Sequence, residues 1–342
     1  MPDFVMTAQE DFWDAALQEM LAILPEARLV KWIDRGVAIL RIPDPFARVS
    51  MTLRKNEPIY TRHIFPLDYT ALVEHWPRAL VKIAARLQTS YPHLRDTSYS
   101  IQLRILDPSA YAFSKFDLTR WMSEELRKRL FSLETQNPDQ IVSAVLKNNL
   151  LYMGVSKPFE NISAWPGGMR RFARYEGQIS RAEFKLLEAL EVFGLDLNGK
   201  QTALDLGAAP GGWTKVLLDR GIAVTAVDPA EMAPPLRSAP RLRHFHGLAQ
   251  DFWERGQQAF DLIVNDMRMD VVDSVKMILK FAPRLNAGGL MIMTFKLPSK
   301  KPEAAVEKGL AMLAREYGNL RARQLFHNRS EITVTGKKVE NP

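Results

Sequence analysis

Residues 203–213, Ala-Leu-Asp-Leu-Gly-Ala-Ala-Pro-Gly-Gly-Trp, constrain this chain more than any other stretch. A short apolar run leads to Asp205, then Gly207, Gly211 and Gly212 crowd a tight turn, and Trp213-Thr-Lys-Val-Leu-Leu opens a helix. Strand, glycine turn and helix in that order let backbone N–H groups and a helix N-terminus approach a polar ligand. The spacing is not the G-x-G-x-x-G of dinucleotide binding, and the Gly-Lys-Ser/Thr of a phosphate loop is missing.

The rest of the C-terminal half alternates strand and helix patterns, as a doubly wound sheet requires. Strands are expected at 202–206, 223–227, 242–246, 261–265 and 289–295, with helices at 213–220, 271–282 and 302–317. Two further strand-like runs, 322–326 and 331–335, flank His327-Asn-Arg-Ser as a hairpin. The expected fold class is α/β: a Rossmann-like domain over 179–342, with a seven-stranded sheet ending in an antiparallel hairpin. The N-terminal half reads differently. Patterns at 4–7, 11–24, 27–33 and 37–42 spell β-α-β-β, half of a ferredoxin-like domain, assigned to residues 1–50. Residues 51–164 form a second α+β region with elements at 98–106, 118–131 and 140–148. Residues 165–178, which begin Trp-Pro-Gly-Gly-Met-Arg-Arg, combine turn formers with basic side chains, as expected of a linker.

Composition narrows the chemistry. There is no cysteine, which excludes disulfides, thiolate metal sites and iron–sulfur clusters. It also excludes a thiolate attack on a pyrimidine ring and a radical route that needs a cysteine-held cluster. The net charge of +7 suits a polyanionic partner, and both halves share the excess. No apolar stretch is long enough to span a bilayer, and Met1-Pro-Asp-Phe-Val has no basic secretory n-region. A cytoplasmic protein without a membrane partner is expected.

Asp228 ends the second strand, 21 residues after Gly207, where a carboxylate accepts hydrogen bonds from a ribose diol. Asp251 follows the third strand, where such folds contact an adenine amino group. The fourth strand ends Asn265-Asp266-Met267-Arg268. Enzymes that methylate exocyclic amines carry Asn/Asp-Pro-Pro-Tyr/Phe there, so an amine acceptor is disfavoured. Asp266 instead puts a carboxylate at the sheet mouth, suited to orienting a cation beside an alcohol. Lys296 at the end of the fifth strand and Lys185 on a helix before the first are the candidate cations, and Glu331 opens the last strand. His244 and His246 share one strand face, but no third ligand lies nearby and no metal is expected.

The loop Asp-Leu-Gly-x-x-Pro-Gly-Gly-Trp resembles the S-adenosylmethionine loop of the FtsJ-like ribose methyltransferases. Lys185, Asp266, Lys296 and Glu331 match that family's K-D-K-E tetrad one for one. The resemblance implies a methyltransferase domain with S-adenosyl-L-methionine as cofactor. Asp205, Gly207, Ala209, Pro210, Gly211, Gly212, Trp213, Asp228, Asp251 and Asp266 would hold it. A ribose 2′-hydroxyl is a weak acid and must lose its proton as it attacks in line with sulfur. A desolvated lysine beside another cation can act as base. Two flanking acids pull the other way, so base and orienting roles for Lys296 both stay open.

Ile101-Gln-Leu-Arg-Ile-Leu-Asp with Asn137-Pro-Asp-Gln-Ile-Val is similar to a THUMP domain, a module of RNA-modifying enzymes. With the ferredoxin-like start and the tetrad, the whole resembles the bacterial large-subunit ribosomal RNA methyltransferase M family. That implies 2′-O-methylation of a cytidine in 23S rRNA, acting on naked or immature RNA, with no protein partner implied. Another structured RNA such as tRNA, or an RNA-binding module without catalysis, are the alternatives; an intact tetrad speaks against the second. Arg170, Arg171, Arg174 and Arg181, interleaved with Phe172 and Tyr175, are expected to grip phosphates and stack on bases. Lys300 and Lys301 would hold RNA near Lys296.

Overall fold

Phe4, Val5 and Met6 are buried in succession, so both faces of the first strand are covered. The strand β1 (Asp3–Ala8) accordingly lies inside a sheet, between β3 (Val37–Arg41) and β4 (Thr61–Leu67), with β2 (Arg28–Asp34) at the edge beyond β3. All three pairings are antiparallel. Helices α1 (Trp13–Ile23) and α2 (Phe46–Lys55) complete a β-α-β-β-α-β unit. The ferredoxin-like pattern thus runs to Leu67, and the boundary expected at 50/51 falls inside α2. That helix buries only Val49, Ser50 and Leu53, too thin a stripe to stand out in sequence.

The computed structural model describes residues 1–73, 75–92, 97–128, 133–134, 136–298 and 300–339. It divides into two units, Met1–Met169 and Arg170–Pro342. In the first unit a second sheet, ordered β5-β8-β7-β6, follows the ferredoxin-like sheet. Its strands are β5 (Tyr69–Leu72), β6 (Tyr99–Ile105), β7 (Gln140–Lys147) and β8 (Leu150–Ser156), with α3 (Trp76–Ser90) and α4 (Lys115–Arg127) packed against it. Only β6 and β7 run parallel. Ser114 and Asp117 close a capping box at the start of α4. The helix expected at 118–131 has its last residues, 129–131, outside the described residues. Val5, Ile39 and Phe65 of the first sheet meet Val145 and Tyr152 of the second in one apolar cluster.

The second unit opens with α5 (Ala182–Val192) and then builds one seven-stranded sheet. Its strands are β9 (Thr202–Leu206), β10 (Ala223–Asp228), β11 (Leu242–His246), β12 (Phe260–Asn265), β13 (Leu285–Lys296), β14 (Tyr317–Arg323) and β15 (Glu331–Lys338), ordered β11-β10-β9-β12-β13-β15-β14. The first five are parallel; β15 is antiparallel to both β13 and β14. Ala203, Leu204, Leu262, Ile263 and Val264 are wholly buried, as central strands covered on both faces require. The intervening helices are α6 (Gly212–Leu218), α7 (Ala249–Glu254), α8 (Val271–Phe281) and α9 (Pro302–Leu313).

Two expectations shift. The helix expected to reach 317 stops at Leu313, and the strand expected at 322–326 occupies Tyr317–Arg323. Asn319 adopts φ +52° beside a register break between Gly318 and Arg321, so strand pairing starts earlier than the apolar pattern suggests. The register also sets up the site. Lys296 faces Glu331 across the β13–β15 ladder, and Asn265 is level with Leu206 and Met293. Asp266 therefore emerges where β9 and β12 end, while β13 runs on beside it to Lys296.

Candidate active site

A cleft of about 1470 Å³ opens at these strand ends, within the second unit. On one side the four residues of the expected tetrad form a closed ring of charge. Lys185 Nζ, from α5, donates to Glu331 Oε1 at 2.6 Å and to Asp266 Oδ2 at 3.2 Å. Lys296 Nζ donates to Asp266 Oδ1 at 2.5 Å and to Glu331 Oε2. Two ammonium and two carboxylate groups leave the ring formally neutral. Burial opposes the charge on Lys185, but Asp266 and Glu331 outweigh it and hold the amine above its ordinary value. Burial likewise opposes ionisation of Asp266, and Lys296 and Lys185 prevail to hold it below the usual carboxylate range. Lys185 is thus an ammonium at neutral pH, not a lysine made basic by a neighbouring cation.

Thr294, fully buried, was not anticipated. Its hydroxyl donates to Asp266 Oδ1 at 2.7 Å and accepts from Lys296 Nζ at 2.9 Å. It stands two residues before Lys296 on β13, hence on the same face, and that spacing is the only sequence signal it carries. Glu188, one turn after Lys185 on α5, is also buried. Its carboxylate accepts the N–H groups of Phe326 and His327 at 2.8 Å each, tying α5 to the loop that leads into Glu331.

The other side of the cleft is the glycine turn. Gly207 has φ +73°, and a Cβ there would lie 2.3 Å from Met267 Cγ; one on Gly212 would lie 2.4 Å from Ser180 Oγ. Small residues are needed for the loop to sit this deep. Asp228 accepts the N–H groups of Ala209 at 3.0 Å and Ala230 at 2.7 Å, which fixes its carboxylate at the cleft wall near Pro229, Leu248 and Ala249. Asp205 lies at the bottom, 1% exposed, and accepts the Thr214 hydroxyl at 2.6 Å. Burial pushes its carboxyl up to about 7, against the Thr214 hydrogen bond and with the help of Asp266 and Asp228. Ala209, Pro210 and Trp213 also line the cleft, Trp213 being anchored by an indole N–H to the Ala182 carbonyl at 2.9 Å.

Two of the residues expected to hold cofactor do not line the cleft. Gly211, at φ +111°, turns its Cβ position toward Leu236 and Met232, at 2.2 and 2.8 Å, so it shapes the turn from behind. Asp251 is exposed on α7. The residues expected to grip RNA divide as well. Arg170 pairs with Glu191 at 2.8 Å and lies 4.3 Å over the Phe172 ring, which stacks on Phe184. Tyr175 donates its hydroxyl to Glu183. Phe172 and Tyr175 are therefore engaged by the fold itself. Arg174 is exposed in the same segment, and Lys300 and Lys301 are exposed before α9, away from the cleft lining. Arg181 does line the cleft, as do Arg268, Phe326, His327 and Arg329, for which no motif in the sequence gives a signal. Among the described residues no three His, Cys, Asp or Glu side chains are grouped to hold a metal ion, and no helix is long and apolar enough to cross a membrane.

Residues 178–301 match the FtsJ-like methyltransferase family. The C-terminal unit carries an FtsJ-like methyltransferase domain. The matched segment holds the glycine turn, Asp228 and three of the four ring residues; Glu331 lies beyond it. Two curated relatives are both named ribosomal RNA large subunit methyltransferase M. The one from Aggregatibacter aphrophilus is 35% identical over 204 residues, 55% of each chain. The one from Psychromonas ingrahamii is 31% identical over 238 residues, 64% of this chain and 63% of that one. The chain spans about half the length of the curated relatives it matches. Among solved structures, TrmN from Thermus thermophilus aligns with a TM-score of 0.41 at 14% identity, over 99% of this chain and 100% of that one. The methyl donor of the FtsJ-like domain is S-adenosylmethionine, and the residues present fit it. Asp228 offers a fixed acceptor pair for a diol, and the turn from Gly207 to Gly212 carries no side chain larger than Pro210.

Proposed function

We propose that this chain is an S-adenosylmethionine-dependent 2′-O-ribose methyltransferase acting on ribosomal RNA in the cytoplasm. Its target is a cytidine of 23S rRNA in naked or immature form. The observation that carries this reading is the closed ring of Lys185, Asp266, Lys296 and Glu331 in the same cleft as the glycine turn and Asp228. S-adenosylmethionine, when bound, supplies an electrophilic methyl group on sulfur. Asp228 would hold the ribose hydroxyls of the cofactor, and Pro229, Leu248, Ala249 and the backbone of the glycine turn would line the rest of its site.

Lys185 stays charged and locks Asp266 and Glu331 in place; Thr294 fixes the Asp266 carboxylate and the Lys296 amine together. Lys296 then presents its Nζ to the attacking 2′-oxygen. The proton lost from that oxygen goes to Lys296 Nζ, which enters the step as the neutral amine after releasing a proton to solvent and leaves it as the ammonium held by Asp266 and Glu331; the rest of the acceleration comes from alignment. The first unit, with its ferredoxin-like sheet and the THUMP-like residues that follow Leu67, finds the RNA. The test is Lys296→Ala. Methyl transfer to a large-subunit rRNA transcript should disappear while calorimetry shows cofactor affinity nearly unchanged. Retained turnover would reject the role of Lys296.

A further inference from the structure

The loop from β14 to β15 does more than reverse the chain. Phe326 and His327 meet edge to face, with ring centroids 5.0 Å apart at 72°, and both line the cleft beside Ser330 and Glu331. The Glu188 carboxylate holds both of their N–H groups, and His327 rests against Phe184 with centroids 5.1 Å apart. Rings anchored this way form a rigid wall next to the catalytic ring. The Arg171 guanidinium lies 5.5 Å over the Phe326 ring and adds positive charge to that wall. Arg181, Arg268 and Arg329 are exposed on the same cleft, and among the described residues none makes an ion pair.

The acids of the cleft are otherwise committed. Asp266 and Glu331 belong to the neutral ring, Asp228 to backbone amides, Asp205 to Thr214, and Asp270 to the N-terminus of α8. The positive field at this end of the cleft therefore comes from the arginines. Aromatic faces beside unpaired arginines suit a nucleobase between phosphates. Within a duplex both faces of a base are already stacked, so a wall of rings serves only a base that has left its stack.

We propose that this end of the cleft seats a single unstacked nucleotide of RNA. Its base lies against Phe326 and His327, and the phosphates on either side are held by Arg181, Arg268 and Arg329. The inference rests on the ribose-methylation reading above and adds what form the substrate must take. The test uses the full chain, a large-subunit rRNA transcript and methyl-labelled S-adenosylmethionine. The double variant Arg268→Ala/Arg329→Ala changes only exposed side chains. It should raise KM for the transcript at least tenfold and weaken the salt dependence of KM, with cofactor affinity unmoved. Phe326→Leu keeps apolar volume without a stacking face and should lower kcat/KM about tenfold. A third arm needs no variant: once the methylated position is mapped, a complementary oligonucleotide annealed across it should abolish transfer. Undiminished transfer to the annealed site, or an unchanged KM in the double variant, overturns the proposal and leaves ribose methylation standing. Transfer by the parent to a base atom overturns the ribose reading and this proposal with it.

Discussion

At the scale of single residues, the tetrad was legible because four charged side chains kept an order along the chain. What the sequence lacked was the sheet register that sets Lys296 opposite Glu331, and so brings the four together. Thr294 escaped notice because a hydroxyl on a strand has no motif, although it bridges Asp266 and Lys296. Replacing it by valine should keep the fold and lower kcat about tenfold or more, since a buried carboxylate loses a donor. Steady-state kinetics at saturating cofactor would show this, and an unchanged kcat would relieve Thr294 of any role. Asp205 carries a different prediction. Its folded-state pKa of about 7 lies above the unfolded value of 3.8. The bound proton therefore stabilises the fold fully below about pH 4, and that contribution is lost as pH rises through 7. Asp205→Asn has no such loss. Its melting temperature relative to the parent should climb by several degrees between pH 5 and pH 8. A difference flat in pH would mean that Asp205 is not held protonated.

At the scale of elements, the alternating half of the chain was readable because its buried strands are continuous apolar runs between glycine-marked turns. The N-terminal half is only partly legible in sequence. α2 carries a narrow buried face, α3 does carry a helical stripe of Leu80, Ile83, Ala84 and Leu87 behind Pro77 in its first turn, and β8 (Leu150–Ser156) gains its meaning only by pairing with both β5 and β7. The sequence predicts a plain hairpin between β14 and β15, whereas Glu188 on α5 holds the loop by two hydrogen bonds. On the proposed reading Glu188 is a positioning residue, buried and bonded to the loop backbone. Glu188→Ala should lower kcat on rRNA ten- to a hundredfold and cost about 1–3 kcal/mol of stability, because two part-buried N–H groups lose their acceptor. Glu188→Gln retains an acceptor oxygen and should recover part of both. Equal losses in the two variants would point instead to the charge itself. The glycine turn gives a control: Gly212→Ala pushes a methyl onto Ser180 and should weaken cofactor binding with little effect elsewhere.

At the scale of the whole molecule, the chain is two units of nearly equal size, and the ring, the glycine turn and the arginines all belong to the second. The division after Met169 also keeps Arg170 with its partners Glu191 and Phe172. A fragment of residues 170–342 should therefore bind S-adenosylmethionine within a few fold of the full chain yet transfer methyl to rRNA at least a hundredfold more slowly. Full activity of the fragment would refute the role given to the first unit. The central claim concerns the acceptor atom, and one measurement tests it without knowledge of the target. The full chain is incubated with large-subunit rRNA transcript and methyl-labelled S-adenosylmethionine, the RNA is digested to nucleosides, and the labelled product is identified by mass spectrometry. A charged ring beside a cleft that lacks an amine-binding Pro-Pro-aromatic segment predicts label in a 2′-O-methylnucleoside, with the base unmodified. Label on a base nitrogen or carbon would contradict it.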